Sequence, residues 1–283
     1  MNVSSWTRPI EASMDEALES GSLPPRVRGA VMPERSSYVA GTPCWVDVST
    51  DDFDGTIAFY TGIFGWEAVR PTEPEAGGYT LFAQSGKNVA AAGPNIGGAP
   101  PVWSTYIASD DVDATATKIT ESGGTLLMEP FDVMDAGRMA LAVDPTGGMF
   151  GIWQAGKHIG AELVNEPDAL VWNELHSGDL TAANAFYGAV FGWTQQPFGD
   201  DPTFRYDVQK VADESIGGIF QADGAPGWQV YFSVADPDAT AAKAVELGGE
   251  IVREPADYPY GRDTLLRDPH GAAFHALRIP VSS

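Results

Sequence analysis

The sequence consists of two homologous halves of about 120 residues each, arranged in tandem, and this duplication constrains the fold more than any other feature. The segment CWVDVSTDDFDGTIAFYTGIFGWEA, which begins at Cys44, aligns with VWNELHSGDLTAANAFYGAVFGWTQ, which begins at Val171. Two later pairs of segments keep nearly the same offset: WSTYIASDDVDATATKITESGGTLLMEP with WQVYFSVADPDATAAKAVELGGEIVREP, and AGRMALAVDPTGGMFGIW with YGRDTLLRDPHGAAFHAL. Three separate blocks at one offset predict a duplicated domain.

Each half shows the same order of predicted elements, which is βαβββ twice over. A strand of alternating pattern begins at Trp45, Asp52 and its two neighbours offer N-cap oxygens to a helix, and Gly65 ends that helix. Three short strands follow to about Pro94, and the pattern restarts at Trp103. The predicted fold class is therefore α+β with four βαβββ modules. Whether the modules pair within one half or between the halves stays open at this point.

The domain boundaries follow from the limits of the repeat. Residues 1–37 lie outside it and are expected to form a flexible extension, with a weak helix around Glu11 to Leu18. The remaining boundaries are a first domain at 38–156, a linker at 157–168 and a second domain at 169–283.

Composition and charge restrict the classes of partner. The formal net charge of −23 repels phosphate backbones and anionic lipid, so nucleic acid and membrane surfaces are not expected partners. No apolar run approaches the roughly 20 residues of a membrane-spanning helix. Cys44 is the single cysteine, which excludes an internal disulfide, and the acidic N-terminus lacks the apolar stretch of a secretory signal. We expect a cytoplasmic, acidic protein whose partner is a small molecule.

The blocks VWNELHSGD, FYGAVFGW, DAGRM and DPTGG resemble the vicinal oxygen chelate superfamily, which includes glyoxalase I, bleomycin-resistance proteins and extradiol dioxygenases. More narrowly, the chain resembles actinobacterial tandem-domain glyoxalase-like proteins. The resemblance implies tandem domains in which paired βαβββ modules form curved-sheet ligand clefts. It also implies a divalent metal, held in the cleft by His, Glu or Gln, that chelates two adjacent substrate oxygens as a Lewis acid.

The positions that correspond to the family's metal ligands can be found by counting from the helix and turn motifs. They are Trp45, Thr105 and Gly151 in the first half, and Trp172, Val230 and His275 in the second. Only His275 has a ligating side chain, so the usual metal site and any cofactor are not expected. The alternative is a single Fe, Mn, Ni or Zn ion at a displaced site. Its ligands, which are also the candidate catalytic residues, would be Glu174, His176 and His275, because Glu174 and His176 share a strand face with Trp172.

Aromatic and charged residues are the candidate ligand-binding groups of a metal-free cleft. Trp45, Trp172, Trp103 and Trp228 lie on predicted strands and would stack on a flat ligand. Asp47 follows Trp45 on the same strand face, and Glu174 follows Trp172 in the same way. A carboxylate beside an indole would act as a general base or hold a cation. Arg138 and Arg262 occupy matched positions and would bind an acidic group of the ligand, unless they pair with Asp135 and Asp263. His158 and His270 are expected to be solvated.

Three functions are compatible with this pattern. The first is a metal-free aromatic cleft that binds a small oxygenated or aromatic metabolite, with or without transforming it. The second is a metal-dependent lyase, isomerase or oxygenase with its site in the second domain, and the third is a non-catalytic partner-binding protein. The halves differ at Asp47 and Glu174, Ser49 and His176, and Gly151 and His275, so the second half is the expected place for an active site. Fused halves supply a pseudo-dimer, so a monomer or a homodimer is expected.

Overall fold

The computed structural model describes residues 34–72, 74–95, 98–198 and 204–280. The helix predicted around Glu11 to Leu18 and most of the extension 1–37 lie outside these ranges. The first described residues run along the linker: Glu34 pairs with Leu163, and the backbone N–H of Arg35 donates to the carbonyl of Glu162 at 2.8 Å.

The described residues of the first half form eight strands and two α-helices. Helix α1 begins after Asp52, whose side chain accepts a hydrogen bond from the Gly55 N–H, and ends at Gly65, where a left-handed φ of 68° suits glycine. The elements in order are β1 (Pro43–Thr50), α1 (Phe53–Phe64), β2 (Glu67–Val69), β3 (Thr80–Gln84), β4 (Lys87–Pro94), β5 (Trp103–Ala108), α2 (Val112–Glu121), β6 (Thr125–Val133), β7 (Gly137–Val143) and β8 (Met149–Ala155).

The second half repeats this order, as the duplicated sequence predicts. Asp179 caps its first helix in the same way, and Gly192 ends that helix at a φ of 72°. The elements are β9 (Leu170–Ser177), α3 (Leu180–Phe191), β10 (Thr194–Phe198), β11 (Tyr206–Val211), β12 (Glu214–Gln221), β13 (Gly227–Ser233), α4 (Pro237–Glu246), β14 (Glu250–Tyr258), β15 (Gly261–Arg267) and β16 (Ala273–Arg278).

Each half forms one open sheet of eight strands. The strand orders are β2-β3-β4-β1-β5-β8-β7-β6 and β10-β11-β12-β9-β13-β16-β15-β14. The two modules of a half meet where β1 pairs antiparallel with β5, and where β9 pairs antiparallel with β13. The modules therefore pair within a half, and the predicted α+β fold of tandem domains is confirmed.

The helices, in contrast, pack across the two halves. Helix α1 of the first half contacts α4 of the second, and α2 contacts α3. Phe64 of α1 lies 5.1 Å, between ring centroids, from Phe232 of the second sheet, and both belong to one continuous buried cluster. The main apolar core therefore lies between the two sheets and contains side chains from both halves.

Buried hydrogen bonds across this core obey the same pseudo-twofold symmetry. The Tyr60 hydroxyl donates to Asp268 Oδ2 at 3.1 Å, and the equivalent Tyr187 hydroxyl donates to Asp144 Oδ2 at 2.9 Å. In each pair the tyrosine belongs to one half and the aspartate to the other. Two indole N–H groups also donate hydrogen bonds across the core. Trp66 donates to the Asp168 carbonyl and Trp193 to the Gly41 carbonyl, both at 2.7 Å. These four residues, which the FYxxxFGW motif supplies, thus hold the halves together.

Across residues 34–280, apart from the gaps noted above, no helix combines the length and the apolar character needed to span a membrane.

Candidate functional site

Each sheet has one face against the helices and one face that points away from them. We call the second face a cup. The first cup contains Trp45, Asp47, Tyr79, Tyr106 and Trp153, and the second contains Trp172, Glu174, Tyr206, Tyr231 and His275. Residues two apart along a strand share a face, so the predicted pairing of each tryptophan with its carboxylate on one face agrees with the structure.

A chain of four side chains lies in the first cup. The indole N–H of Trp45 donates to the Tyr79 hydroxyl at 2.8 Å, and that hydroxyl donates to Asp47 Oδ2 at 3.0 Å. The Tyr106 hydroxyl donates to the same oxygen at 2.9 Å.

The second cup repeats this chain with glutamate in place of aspartate. The indole N–H of Trp172 donates to the Tyr206 hydroxyl at 2.9 Å, and the Tyr231 hydroxyl donates to Glu174 Oε1 at 3.1 Å. Sequence reasoning missed Tyr79 and Tyr206. The signal that identifies them is their identical separation, 34 residues after the tryptophan in each half.

The first cup is filled by its own side chains. A Cβ atom on Gly151 would lie 2.1 Å from Cδ1 of Tyr106, so the tyrosine ring occupies the place where the second half has His275. From the linker, His158 packs its ring edge-on against Trp45, with centroids 4.4 Å apart, and its carbonyl accepts from the Trp153 indole at 2.9 Å. The expectation that His158 is solvated is wrong: it is largely buried, and burial lowers its pKa to about 4.

Asp47 at the floor of the first cup is a buried carboxyl group. Burial raises its pKa to about 6, although the hydrogen bonds from Tyr106, Tyr79 and Ser104 favour the ionised form. A carboxyl group with a raised pKa binds its proton more tightly in the folded chain than in the unfolded one. Its contribution to stability is therefore present in full below about pH 4, the unfolded value, and is lost as the pH rises through about 6.

Asp47→Asn is expected to remove this pH dependence. A pKa difference of about 2 units corresponds to roughly 3 kcal/mol, so the unfolding free energy of the variant relative to the wild type should rise by up to that amount between pH 4 and pH 8. Urea unfolding at several pH values measures it, with the exposed Asp223→Asn as control. If the difference in unfolding free energy between Asp47→Asn and the wild type did not change with pH, Asp47 would not be a buried ionisable group.

The second cup carries a histidine–carboxylate pair that the first lacks. His176 Nε2 lies 2.8 Å from Glu174 Oε1, and the His176 ring is half-buried against Phe220. Burial alone would raise the pKa of Glu174, but the hydrogen bond and charge of His176 and the charge of His275 outweigh it and leave the pKa below its ordinary value. Glu174 is therefore ionised at neutral pH, and His176 donates to it.

His275 belongs to a second polar group of the same cup. Its Nδ1 donates to Asp263 Oδ2 at 3.0 Å, and Asp263 also forms an ion pair with Arg253. The Tyr231 ring stacks on the His275 ring with centroids 3.9 Å apart. Burial lowers the pKa of His275 despite the neighbouring carboxylate, so the imidazole is neutral at neutral pH.

These side chains do not fit a divalent metal ion. Within the part of the chain that the structure describes, no three His, Cys, Asp or Glu side chains converge as a ligand set. Glu174 and His176, two of the three predicted ligands, bind each other. Thr105 and Val230, two of the counted ligand positions, are buried on the opposite sheet face. There Thr105 Oγ1 donates to Asn173 Oδ1 of the other half at 2.9 Å.

Four of the predicted ligand-binding residues lie outside the cups. Trp103 donates its indole N–H to Tyr60 of α1 at 2.9 Å, and Trp228 packs edge-on against Tyr187 of α3. Both are therefore part of the core between the sheets.

The two matched arginines are bound by carboxylates. Arg138 forms two hydrogen bonds with Asp113 in the first turn of α2, and Arg262 does the same with Asp238 in the first turn of α4. Asp135 and Asp263, the partners weighed from sequence, pair instead with Lys157 and Arg253.

Further aromatic side chains form a rim beside the residues of the second cup. Phe204 stacks on Tyr206 with centroids 6.1 Å apart, and Tyr258 stacks on Tyr260 at 5.2 Å. All four rings are half-buried. Phe220, at a place where the first half has a glycine, completes this rim.

Two open sheets of eight strands, each built from two βαβββ modules, define the class of protein. The sequence profile of the Glyoxalase/Bleomycin resistance protein/Dioxygenase superfamily matches residues 43–152, and that of the Glyoxalase-like domain matches residues 172–277. The chain belongs to this superfamily.

Relatives of similar length support this assignment. The chain is 46% identical over 256 residues to a Mycobacterium tuberculosis protein named "Putative glyoxylase CFP32", covering 87% of this chain and 98% of that protein. It is 38% identical over 261 residues to "Anthracycline biosynthesis protein DnrV" of Streptomyces peucetius, covering 86% and 94%.

Solved structures share the fold at low sequence identity. A Mn(II)-bound glyoxalase from Novosphingobium aromaticivorans superposes with a TM-score of 0.59 at 17% identity, covering 86% of each chain. An extradiol ring-cleaving dioxygenase from B. fuscum superposes with a TM-score of 0.63 at 13% identity, covering 88% of this chain and 75% of that one.

Proposed function

We propose that this protein binds a planar, hydroxylated aromatic molecule in its second cup, where the Glu174–His176 pair accepts the ligand's hydroxyl group. The observation that carries the proposal is a buried carboxylate, hydrogen-bonded to His176 and Tyr231, at the floor of an aromatic-lined cup. The equivalent position of the first half is closed by Tyr106 and His158.

The chemistry of the second cup supports a phenolic ligand. An ionised carboxylate only accepts hydrogen bonds and has about four lone-pair sites, so Glu174 retains about one site beside its bonds to His176, Tyr231 and Tyr206. The half-buried rings of Trp172, Phe204 and Tyr260 offer faces and edges for a flat ligand. A hydroxyl bound to Glu174 donates a hydrogen bond and keeps its proton, because a carboxylate whose pKa lies below its ordinary value is a weak base.

The relatives point in the same direction. Two of them, 38% identical, are named for anthracycline biosynthesis, and anthracyclines are planar polycyclic compounds with phenolic hydroxyl groups. The binding mode proposed here needs no cofactor. We further propose a cytoplasmic monomer, because the fused halves already form a pseudo-dimer.

The test compares matched variants in the two halves, with 6-methyl-2-naphthol as the probe and its fluorescence as the readout. Glu174→Gln removes the charge while keeping the shape, and a hydrogen bond to a charged group contributes about 1.5–3 kcal/mol. We therefore expect affinity to fall by roughly 10- to 100-fold. Asp47→Asn, the same change in the closed first cup, should leave affinity unchanged. Equal losses in both variants, or no loss in Glu174→Gln, would overturn the proposal.

A further inference from the structure

Three neighbouring positions of the second cup carry charged or polar side chains where the first half has apolar ones. The strand pairings show which positions of the two halves correspond. In the second half Tyr231 pairs with His275, and in the first half Tyr106 pairs with Gly151. The second half has Arg253, Asp263 and His275, and the first half has Met128, Met139 and Gly151.

This polar group is unfavourable for stability. The side chain of Arg253 is only 15% exposed and that of Asp263 is fully buried, and removing two charges from water costs several kcal/mol per ion before their attraction is counted. Well-packed apolar side chains are often equal or better at such places. The first half is direct evidence that the apolar set is compatible with this fold. The fold therefore does not require the polar set at these positions.

Arg253 has hydrogen-bonding capacity that the protein leaves unused. Its guanidinium group has five N–H donors, one of which reaches Asp263, while its Nε–H is buried and finds no acceptor among the described residues. An unsatisfied buried donor costs about 1–3 kcal/mol. An anionic oxygen from a ligand would satisfy it.

Arg253 also lies in the same aromatic environment as the proposed phenol-binding pair. Its guanidinium carbon is 5.1 Å from the centre of the Tyr258 ring, which stacks on Tyr260. The hydroxyl of Tyr260 has a pKa raised by burial, and it senses the charges of Asp263, Arg253 and Glu174. Tyr260 therefore lies close enough to both the Arg253–Asp263 pair and Glu174 for their charges to affect its pKa.

We propose that Arg253 binds a carboxylate on the same ligand whose hydroxyl binds Glu174, so that the ligand class is a hydroxylated aromatic acid. This inference rests on the proposed function and narrows its substrate class. Arginine is suited to this role because its planar fork matches a carboxylate with two parallel N–H donors. Asp263 holds the guanidinium through the ion pair, and His275 donates a hydrogen bond to Asp263.

The test measures the preference of the full-length protein for an acid over its methyl analogue. The pair is 6-hydroxy-2-naphthoic acid and 6-methyl-2-naphthol, which differ only in the group proposed to meet Arg253. We expect the wild type to bind the acid about 10-fold more tightly or better, the effect of one charge-assisted hydrogen bond. The double variant Arg253→Met with Asp263→Met carries the two methionines of the first half, and it should lose this preference while binding the methyl analogue as before.

Arg262→Met is the control, because Arg262 is bound by carboxylates outside the cup, and the preference should persist in it. Equal affinity for the two probes in the wild type, or a preference that survives in the double variant, would overturn the role of Arg253 and leave the proposed function standing. Binding of neither probe would overturn both.

Discussion

Residues 1–165 and 166–283, expressed as separate chains, are expected to give no folded monomer alone and to form a folded 1:1 complex when mixed. The reason is that each half buries its helices against the other half. Phe64 packs on Phe232, and the cross-half bonds of Tyr60 and Tyr187 reach aspartates of the opposite sheet. Separating the halves exposes this aromatic core to water, which costs about 25 cal/mol for each Å² of apolar surface exposed.

Near-ultraviolet circular dichroism and light scattering of the two fragments, alone and mixed, measure this result. The mixture at equal concentration is the internal control, because it contains the same cut in the chain. A half that unfolds cooperatively as a monomer would show that the halves are independent domains.

Arg253→Met alone is expected to lower the unfolding free energy by about 3–5 kcal/mol, because it leaves the fully buried Asp263 carboxylate without its cation. Adding Asp263→Met should recover most of the loss, since methionines occupy both equivalent positions of the first half. Urea unfolding of the single and double variants, with the wild type, measures the coupling.

The control for this series is Arg262→Met, which breaks ion pairs with exposed carboxylates and should cost about 0–1 kcal/mol. A cost for Arg253→Met no larger than for the control would mean that the Arg253–Asp263 pair is effectively solvated. The pair would then carry no energetic cost that a functional role has to offset.

The duplicated sequence predicts the order of the elements and the residues that end them, because capping and turn formation depend on local sequence. Asp52, Gly65 and Gly192 act as predicted. The predicted location of chemistry in the second half remains a prediction, and the proposal of a phenol-binding cup depends on it.

The outer and inner faces of a strand are harder to assign. Alternation shows which residues share a face, but an error of one residue exchanges the faces. Thr105 and Val230 were counted as ligand positions, yet their neighbours Tyr106 and Tyr231 point into the cups.

Contacts between distant segments could not be predicted at all. The position of His158 against Trp45 depends on the path of the linker, and the ion pair of Arg253 with Asp263 depends on the register of two strands. The sequence shows that two methionines of the first half correspond to Arg253 and Asp263 of the second. Only the strand register shows that these two side chains meet.

The most direct test of the account is a crystal structure of the full-length protein soaked with 6-methyl-2-naphthol. We predict electron density for the ring in the second cup beside Trp172, with its hydroxyl oxygen within hydrogen-bonding distance of Glu174, and a first cup still filled by Tyr106 and His158. Density for the probe in the first cup, or at a site away from both cups while Glu174 remains in contact only with protein, would contradict it.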